Sequence, residues 1–161
     1  MYTSPPDGTT PHEILLRQGG VADIDAMLPL LVAYRRFYGL ASDTATLQPY
    51  LRARLQQSEA SLWLALHHGD VIAFALCYHG HSTLTLQRND LLHDLYVAPA
   101  WRRHGVAARL LQSIQYALPP GATLWLETAH DNLPAQALYR RLGFVRDEVF
   151  LTMAWQRPAD L

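Results

Sequence analysis

The chain has 161 residues, half of them hydrophobic, and its 13 basic and 14 acidic side chains leave a formal net charge of −1. A chain of this size and composition folds as one compact domain with a sizeable core. The near-neutral charge argues against a nucleic-acid partner, whose binding face would be strongly basic, and no apolar run reaches the roughly 20 residues that span a membrane. We therefore expect a small-molecule partner, no nucleic acid and no membrane.

All 13 basic side chains are arginine, and the chain has one cysteine and eight histidines. Without lysine the chain cannot form a phosphate loop of the GxxxxGK[ST] type or a Schiff base with a substrate. The lone Cys77 excludes an intrachain disulfide and favours a reducing, cytoplasmic location. His67 and His68 fall in a predicted hairpin turn, and His79 and His81 fall in a loop after a strand with no third ligand at a fixed spacing, so we expect surface histidines and no metal.

The hydrophobic pattern predicts one domain over 12–157, preceded by a tail, 1–11, that is rich in Pro, Gly, Ser and Thr. Asp23 belongs to a residue type that caps helices and precedes the first helical pattern. In chain order we expect a strand at 13–17, a helix from 24 through Tyr34, a second helix at 46–57, and strands at 61–66, 71–78, 83–87 and 91–97.

A longer helical pattern begins after Gly105. Apolar residues at positions 106, 110, 111, 114 and 118 fall on one helical face, and the prolines at 119 and 120 end the helix. The segment 123–128 has the composition of a buried strand, and Asn132 can cap a helix that Gly143 terminates. The alternation of 144–155 predicts a last strand or a strand pair.

The loop between the strand at 91–97 and the long helix has the features of an anion site. The first turn of a helix carries unbonded backbone N–H groups and the positive end of the helix dipole. Gly105 and Ala107 keep this turn small enough for a phosphate to reach the backbone, and Arg102 and Arg103 add positive charge. A pyrophosphate fits this pattern, while an ordinary strand-to-helix turn with two solvated arginines is the alternative.

Two sequence blocks resemble signatures of the GNAT superfamily of N-acetyltransferases. Arg102-Arg103-His104-Gly105-Val106-Ala107 resembles the family pattern R/Q-x-x-G-x-G/A, with alanine in the place of the second glycine, and it follows a strand of the family's form. The segment 132–144 is similar to the family element N-x-x-A-x-x-L-Y-x-x-x-G-F. The blocks occur in the family's order and together cover about 91–144.

The resemblance implies a fold and an activity. The fold is a single α/β domain in which a mixed, mostly antiparallel sheet of six or seven strands is flanked by helices and splays between its fourth and fifth strands. The activity is transfer of the acetyl group of acetyl-CoA to a primary amine, for which we expect a small-molecule acceptor and direct attack in a ternary complex. Homodimers are common in the family. A non-catalytic acyl-CoA sensor or scaffold of the same fold and an acyltransferase for longer chains are the alternatives.

The resemblance also assigns contacts with acetyl-CoA. The loop and the helix start would bind the pyrophosphate, largely through backbone groups. Leu95 and Val97 match strand positions whose backbone faces the pantetheine arm, and the Leu95 N–H would polarise the thioester carbonyl. Asn132 matches a residue that contacts the cofactor. The expected pyrophosphate residues are Arg102, Arg103, His104, Gly105, Val106 and Ala107.

Acid and base candidates follow from the same resemblance. Tyr139 matches the tyrosine that protonates the departing CoA thiolate in many family members, and its other interpretation is a core tyrosine. For the base, His93 is slightly favoured over Asp94, Glu127 is a third choice, and proton removal by water alone is a further alternative. Because neighbouring residues of a strand point to opposite faces, we expect only one of His93 and Asp94 to face the cleft.

The sequence indicates the acceptor site less clearly than the acetyl-CoA site. Tyr34, Phe37 and Tyr38 share one helical face, which is more often core, although the first two helices of the family border the acceptor site. Acidic residues that could hold a cationic amine are scattered, and no cluster stands out. These residues are Asp43, Glu59, Glu127 and Asp147.

Overall fold

A computed structural model describes residues 13–159, so the predicted tail at 1–11 lies outside the described part of the chain. The strands are β1 (Ile14–Gly19), β2 (Ala60–His67), β3 (Asp70–Tyr78), β4 (His81–Ser82), β5 (Gln87–Val97) and β6 (Thr123–Leu126). The helices are α1 (Ile24–Phe37), α2 (Thr44–Gln56), α3 (Val106–Ala117) and α4 (Leu133–Arg141). None of the helices within 13–159 is both long and apolar enough to cross a membrane.

The strands form one mixed, mostly antiparallel sheet, and this confirms the expected fold class. β1, β2, β3 and β5 pair antiparallel in that order, and the short β4 pairs with the start of β5. β6 runs parallel to β5 along its other edge. The turn between β2 and β3 consists of His68 and Gly69, both with positive φ, as a type I′ hairpin requires. The hairpin predicted at this point is confirmed.

The core lies between the sheet and the apolar faces of α1 and α3. The periodic residues Val106, Leu110, Leu111 and Ile114 of α3 are buried, as the pattern predicted, whereas Leu118, the fifth residue of the pattern, is half-buried just after the helix ends. Burying one such side chain contributes roughly 1.5–3 kcal/mol relative to leaving it exposed. This packing holds the start of α3, and with it the loop that joins β5 to α3, in a fixed position against the sheet.

β5 and β6 separate after a short parallel contact. Their register consists of four residue pairs and ends with Leu92 opposite Leu126. β5 then continues to Val97 against β3, whereas the chain after β6 leaves the sheet toward α4. Within the described residues, the β6 side of 93–97 therefore has no strand partner. We call this opening the wedge. It is the splay that was expected between the fourth and fifth strands, and it lies between β5 and β6 because the short β4 is counted as a strand.

The strand predicted at 83–87 is wrong. Residues 83–86 form the turn between β4 and β5, in which Ser82 Oγ accepts the backbone N–H of Thr85 at 3.3 Å. Leu84 and Leu86, which suggested the alternation, are 95% and 84% exposed. A hydroxyl that bonds the nearby backbone competes with a strand ladder, and hydrophobic spacing does not reveal this competition.

The predicted last strand is also wrong, because the structure has no strand in the part of 144–159 that the pattern covers. The Asp147 carboxylate accepts the backbone N–H groups of Val149 and Phe150 at 2.8 and 2.9 Å, so the chain turns where a ladder was expected. These two bonds hold the pKa of Asp147 below its usual value. β6 itself is shorter than predicted, and its residues are half-buried or exposed instead of buried.

Candidate active site

Backbone groups of Val97 and Leu95 face the wedge. The N–H of Ala98 donates to the carbonyl of Ile72 at 2.9 Å. A bond in this position flanks a non-hydrogen-bonded antiparallel pair, which here is Ala73 opposite Val97. Both members of such a pair direct their N–H and C=O groups away from each other's strand, and Leu95, two residues earlier, repeats this orientation. The polar backbone groups of Leu95 and Val97 are thus directed toward the space that β6 leaves open.

Arg102 lies at the end of the wedge. Its Nε donates to the carbonyl oxygen of Val97 at 3.1 Å, and its guanidinium carbon is 5.4 Å from the centre of the Tyr96 ring. The arginine expected to add charge to the loop therefore lies against the end of β5. Its positive charge borders the wedge directly.

A β-bulge in β5 brings two candidate side chains together. Cys77 of β3 pairs with Leu92, and the preceding Leu76 pairs with Asp94, so His93 is an extra residue in β5. The bulge interrupts the alternation of side chains, and Nδ1 of His93 lies 3.1 Å from Oδ1 of Asp94. The two side chains therefore do not point to opposite faces of the sheet, although regular alternation predicted that they would.

The His93–Asp94 pair combines an accessible ring with a shielded charge. The His93 side chain is 57% exposed, whereas the Asp94 side chain is 13% exposed. A neutral imidazole that donates from Nδ1 to the carboxylate keeps the lone pair of Nε2 free. The pair can therefore accept a proton at Nε2, and the carboxylate stabilises the charge that results.

Aromatic rings from α1 and β5 border the Asp94 carboxylate. The Tyr34 ring lies 5.9 Å from the Tyr96 ring and 5.1 Å from the Tyr38 ring. Burial, with a further contribution from the negative charge of Asp94, raises the pKa of Tyr34. The aromatic face predicted on α1 is thus divided. Tyr34 packs against the core, whereas Tyr38 is 60% exposed.

Two tyrosines that the sequence did not single out form the other side of this cleft. The Tyr78 ring, at the end of β3, lies 5.3 Å from the His93 ring. Its hydroxyl is 3.4 Å from that of Tyr50 on α2, and burial together with this contact raises the pKa of Tyr78. The alternation of β3 signals that Tyr78 is a strand residue, but only the bulge brings His93 next to it.

Tyr139 lies on α4 and is partly buried against Phe144, with the ring centres 5.6 Å apart. Burial raises the pKa of Tyr139, and the phenol of Tyr38 adds to the effect. Tyr139 therefore stays protonated at pH values where an ordinary tyrosine begins to ionise.

The loop before α3 directs backbone N–H groups outward. Arg103 and Gly105 have φ values of +64° and +75°, and His104 is fixed by its Nδ1, 2.7 Å from the carbonyl oxygen of Arg102. Among the described residues no side chain caps α3, so its first-turn amides keep their capacity to bind an anion. A Cβ placed on Gly105 would meet no atom within 4 Å. The space above the helix start is open, and the residues fit a pyrophosphate.

Three of the remaining polar candidates have structural partners. Asn132 caps α4, since its side-chain oxygen accepts the N–H of Ala135 at 3.3 Å, and this leaves its amide nitrogen for another contact. Asp43 caps α2, and Glu59 pairs with Arg54. Glu127 is exposed after β6, where it lines an open cavity of about 1270 Å³ together with Tyr139.

Cys77 is expected to be unreactive. The thiol is buried, and its burial raises the pKa to about 12, so the thiolate that attacks an electrophile is absent near neutrality. We predict that iodoacetamide at pH 8 leaves the folded protein unmodified, as measured by intact mass, and that Cys77→Ala keeps turnover within about twofold. Rapid alkylation of the folded chain would show that the thiol is accessible, and loss of turnover in the folded variant would favour a covalent acetyl-cysteine route.

Comparison with known proteins identifies the family. Residues 25–144 match the model of the Acetyltransferase (GNAT) family. The chain belongs to this family. It is 36% identical over 146 residues to the uncharacterized N-acetyltransferase YhfO of Bacillus subtilis, covering 89% of this chain and 98% of that protein. It is 33% identical over 105 residues to a ribosomal protein bS18-alanine N-acetyltransferase of Haemophilus ducreyi, covering 62% and 68%.

A solved structure extends the likeness to three dimensions. The crystal structure of a probable acetyltransferase superposes with a TM-score of 0.83 at 31% identity, covering 89% of this chain and 98% of that one. The protein is therefore an acetyltransferase, and GNAT enzymes use acetyl-CoA. In this acetyltransferase the wedge, the loop before α3 and α4 lie within the matched residues.

Proposed function

We propose that this acetyltransferase moves the acetyl group of acetyl-CoA to a primary amine of a small molecule by direct attack in a ternary complex. The observation that carries the proposal is the His93–Asp94 pair, 3.1 Å apart on β5. The pair lies immediately before Leu95, whose backbone faces the wedge. A proton acceptor and a thioester site are thus adjacent on one strand.

In the proposed reaction the acceptor first loses a proton, because an ammonium group has no lone pair. Nε2 of His93 takes this proton, while Asp94 accepts a hydrogen bond from Nδ1 and holds the ring in the required tautomer. The free amine then attacks the thioester carbonyl. With both reactants held in one cleft, attack is effectively intramolecular, and this supplies much of the rate acceleration.

The loop and the wedge would hold acetyl-CoA during attack. The open amides of residues 103–107 and the arginines beside them suit the pyrophosphate. The Leu95 N–H, directed into the wedge, suits the carbonyl oxygen, on which negative charge develops as the amine attacks. Val97 and Asn132 would contact the pantetheine arm and the rest of the cofactor. For Val97 to do so through its carbonyl, the Arg102 side chain has to leave that oxygen.

Collapse of the tetrahedral intermediate breaks the C–S bond and expels the CoA thiolate, which needs a proton. The attacking nitrogen loses its second proton in this step, and that proton, passed through water, replaces the one that the acid gives up. Tyr139 is suited to give it, because burial keeps its phenol in the protonated form.

The small-molecule part of the proposal rests on the acceptor side of β5. There the ring of Tyr34 lies close to that of Tyr96, and Tyr78 contacts the His93 ring and the hydroxyl of Tyr50, so aromatic groups surround the acceptor side of the pair.

Substitution of the pair tests the proposal. His93→Gln is expected to lower turnover by roughly 10² to 10⁴, the range of a lost general base, with acetyl-CoA affinity unchanged. Asp94→Asn is expected to lower turnover as well, because a neutral amide holds the Nδ1 hydrogen bond, and with it the ring orientation, less firmly than a carboxylate. The measurement is release of CoA thiol with a panel of small primary amines. His81→Gln, at an exposed histidine of β4, is the matched control.

Three results would contradict the proposal. Full turnover by folded His93→Gln would exclude His93 as the base and leave proton removal to Asp94, Glu127 or water. Acetyl-CoA binding without thiol release for any amine would favour a non-catalytic acyl-CoA sensor. Faster turnover of a longer acyl-CoA would replace acetyl transfer with transfer of that chain.

A further inference from the structure

We propose that Glu13, His67 and His68 form a binding site for one divalent transition-metal ion, with Zn²⁺ as the ion that fits best. The three residues lie at the start of β1 and at the end of β2, and the proposal does not depend on the reaction proposed above. Their candidate ligand atoms all lie within 4.8 Å of one another.

Strand register brings the third ligand to the histidine pair. Ile14 is the partner of His67 in the antiparallel pairing of β1 with β2. Glu13, one residue before Ile14, is therefore placed across from His68, one residue after His67. The sequence showed no third ligand because this carboxylate is far away along the chain.

His67 has an unused ring nitrogen in a buried position. Its side chain is only 9% exposed, which corrects the expectation of surface histidines, and among the described residues Nε2 has no hydrogen-bond partner. Because an unpaired buried nitrogen is costly, Nε2 of His67 is a candidate ligand atom for an ion. The strand position of His67 fixes its ring where a metal ligand is needed.

The distance between His67 and Glu13 suits shared coordination better than a direct bond. Nε2 of His67 is 3.6 Å from Oε2 of Glu13, beyond the 2.7–3.2 Å typical of a hydrogen bond. Two ligands that are each about 2.0–2.2 Å from a tetrahedral zinc ion lie roughly 3.4 Å apart. An ion between the two atoms therefore needs very little movement.

His68 is held close to His67 by an unusual backbone conformation. Its φ of +49° lies in the left-handed region, as the first position of the type I′ turn requires. This conformation places its ring 4.0 Å from the His67 ring, centre to centre. Two imidazoles and one carboxylate form a donor set that zinc accepts, and the exposure of Glu13 and His68 leaves room for a water as fourth ligand.

The site adjoins the cofactor loop. The His67 ring packs 4.5 Å from the Trp101 ring, and Trp101 immediately precedes Arg102. A bound ion would tie the first strand to the β2–β3 hairpin and fix the ring against which Trp101 packs. We therefore expect the ion to stabilise the folded chain.

The test is calorimetric titration of the full chain, without a histidine tag and freed of metal by EDTA, with ZnCl₂. We expect one zinc ion per chain and a higher melting temperature when it is bound. Glu13→Gln and His67→Gln should each weaken binding roughly tenfold or more. Visible absorption of the Co²⁺-loaded protein should show the intense bands of tetrahedral coordination.

His68→Asn and His81→Gln sharpen the test. Asparagine tolerates a positive φ, so His68→Asn removes a ligand without straining the turn and should weaken zinc binding. His81→Gln removes an exposed histidine outside the cluster and should leave it unchanged. Absence of zinc binding would overturn the proposal. Binding that survives Glu13→Gln, or that His81→Gln weakens equally, would also overturn it and identify an adventitious ion only.

Discussion

Gly105→Val is expected to abolish measurable binding of acetyl-CoA. The valine side chain would occupy the open space above the start of α3, where a Cβ now meets no atom within 4 Å. It would keep a pyrophosphate away from the first-turn amides. Losing two charge-assisted hydrogen bonds, at roughly 1.5–3 kcal/mol each, weakens binding by about 10² or more. Isothermal titration calorimetry measures the loss.

A control has to separate this effect from backbone strain, since Gly105 has a φ of +75° that valine tolerates poorly. Gly39 has a φ of +70° and equally open surroundings, at the end of α1. Gly39→Val should therefore destabilise the fold to a similar degree and bind acetyl-CoA normally. Normal binding by a folded Gly105→Val variant would show that the pyrophosphate lies elsewhere.

Tyr139→Phe is expected to lower turnover by roughly 10² to 10⁴, while acetyl-CoA affinity stays almost unchanged. The substitution removes only the hydroxyl that would protonate the CoA thiolate and keeps the ring that packs against Phe144. Steady-state kinetics of thiol release, together with calorimetry, separates the two quantities.

The pH dependence of the wild-type enzyme adds a second readout. Because burial raises the pKa of Tyr139, its protonated form persists above pH values near 10, where a free tyrosine ionises. Ionisation of Tyr139 should therefore cause no fall in turnover below that range. Tyr116→Phe, at a tyrosine of α3 that is 94% exposed, is the control. Unchanged turnover in Tyr139→Phe would give Tyr139 a packing role only.

Local patterns predicted those parts of the fold that local physics determines. The helical period of 106–114 and the cap at Asn132 depend on residues close together in the sequence, and both predictions are confirmed. The anion site expected at the loop before α3 was inferred from local features as well, since glycine and arginine before a helix have direct physical effects. The family signatures then extended these local predictions to the whole sheet.

The bulge at His93 could not be predicted in this way. Strand alternation assumes regular pairing, and an extra residue in β5 reverses the faces of every residue that follows. The pairing of His93 with Asp94 and the contact of Tyr78 with His93 both depend on this long-range register. The proximity of Glu13 to His67 could not be predicted for the same reason, because only the pairing of β1 with β2 brings the two residues together.

The turns at 83–86 and 147–150 show a further limit. In each, a side-chain oxygen of Ser82 or Asp147 accepts backbone N–H groups and diverts the chain from a strand. Hydrophobic alternation records which residues could share a face, but it does not record this competition for backbone hydrogen bonds.

Calorimetric titration with acetyl-CoA, beside free CoA and a longer acyl-CoA, tests the central claim most directly. We predict binding of acetyl-CoA to one site per chain, retained in His93→Gln and Tyr139→Phe and lost in Gly105→Val. This pattern would place the cofactor at the loop and the wedge and the chemistry at the two side chains. Failure of the wild-type protein to bind any of the three compounds would contradict the account.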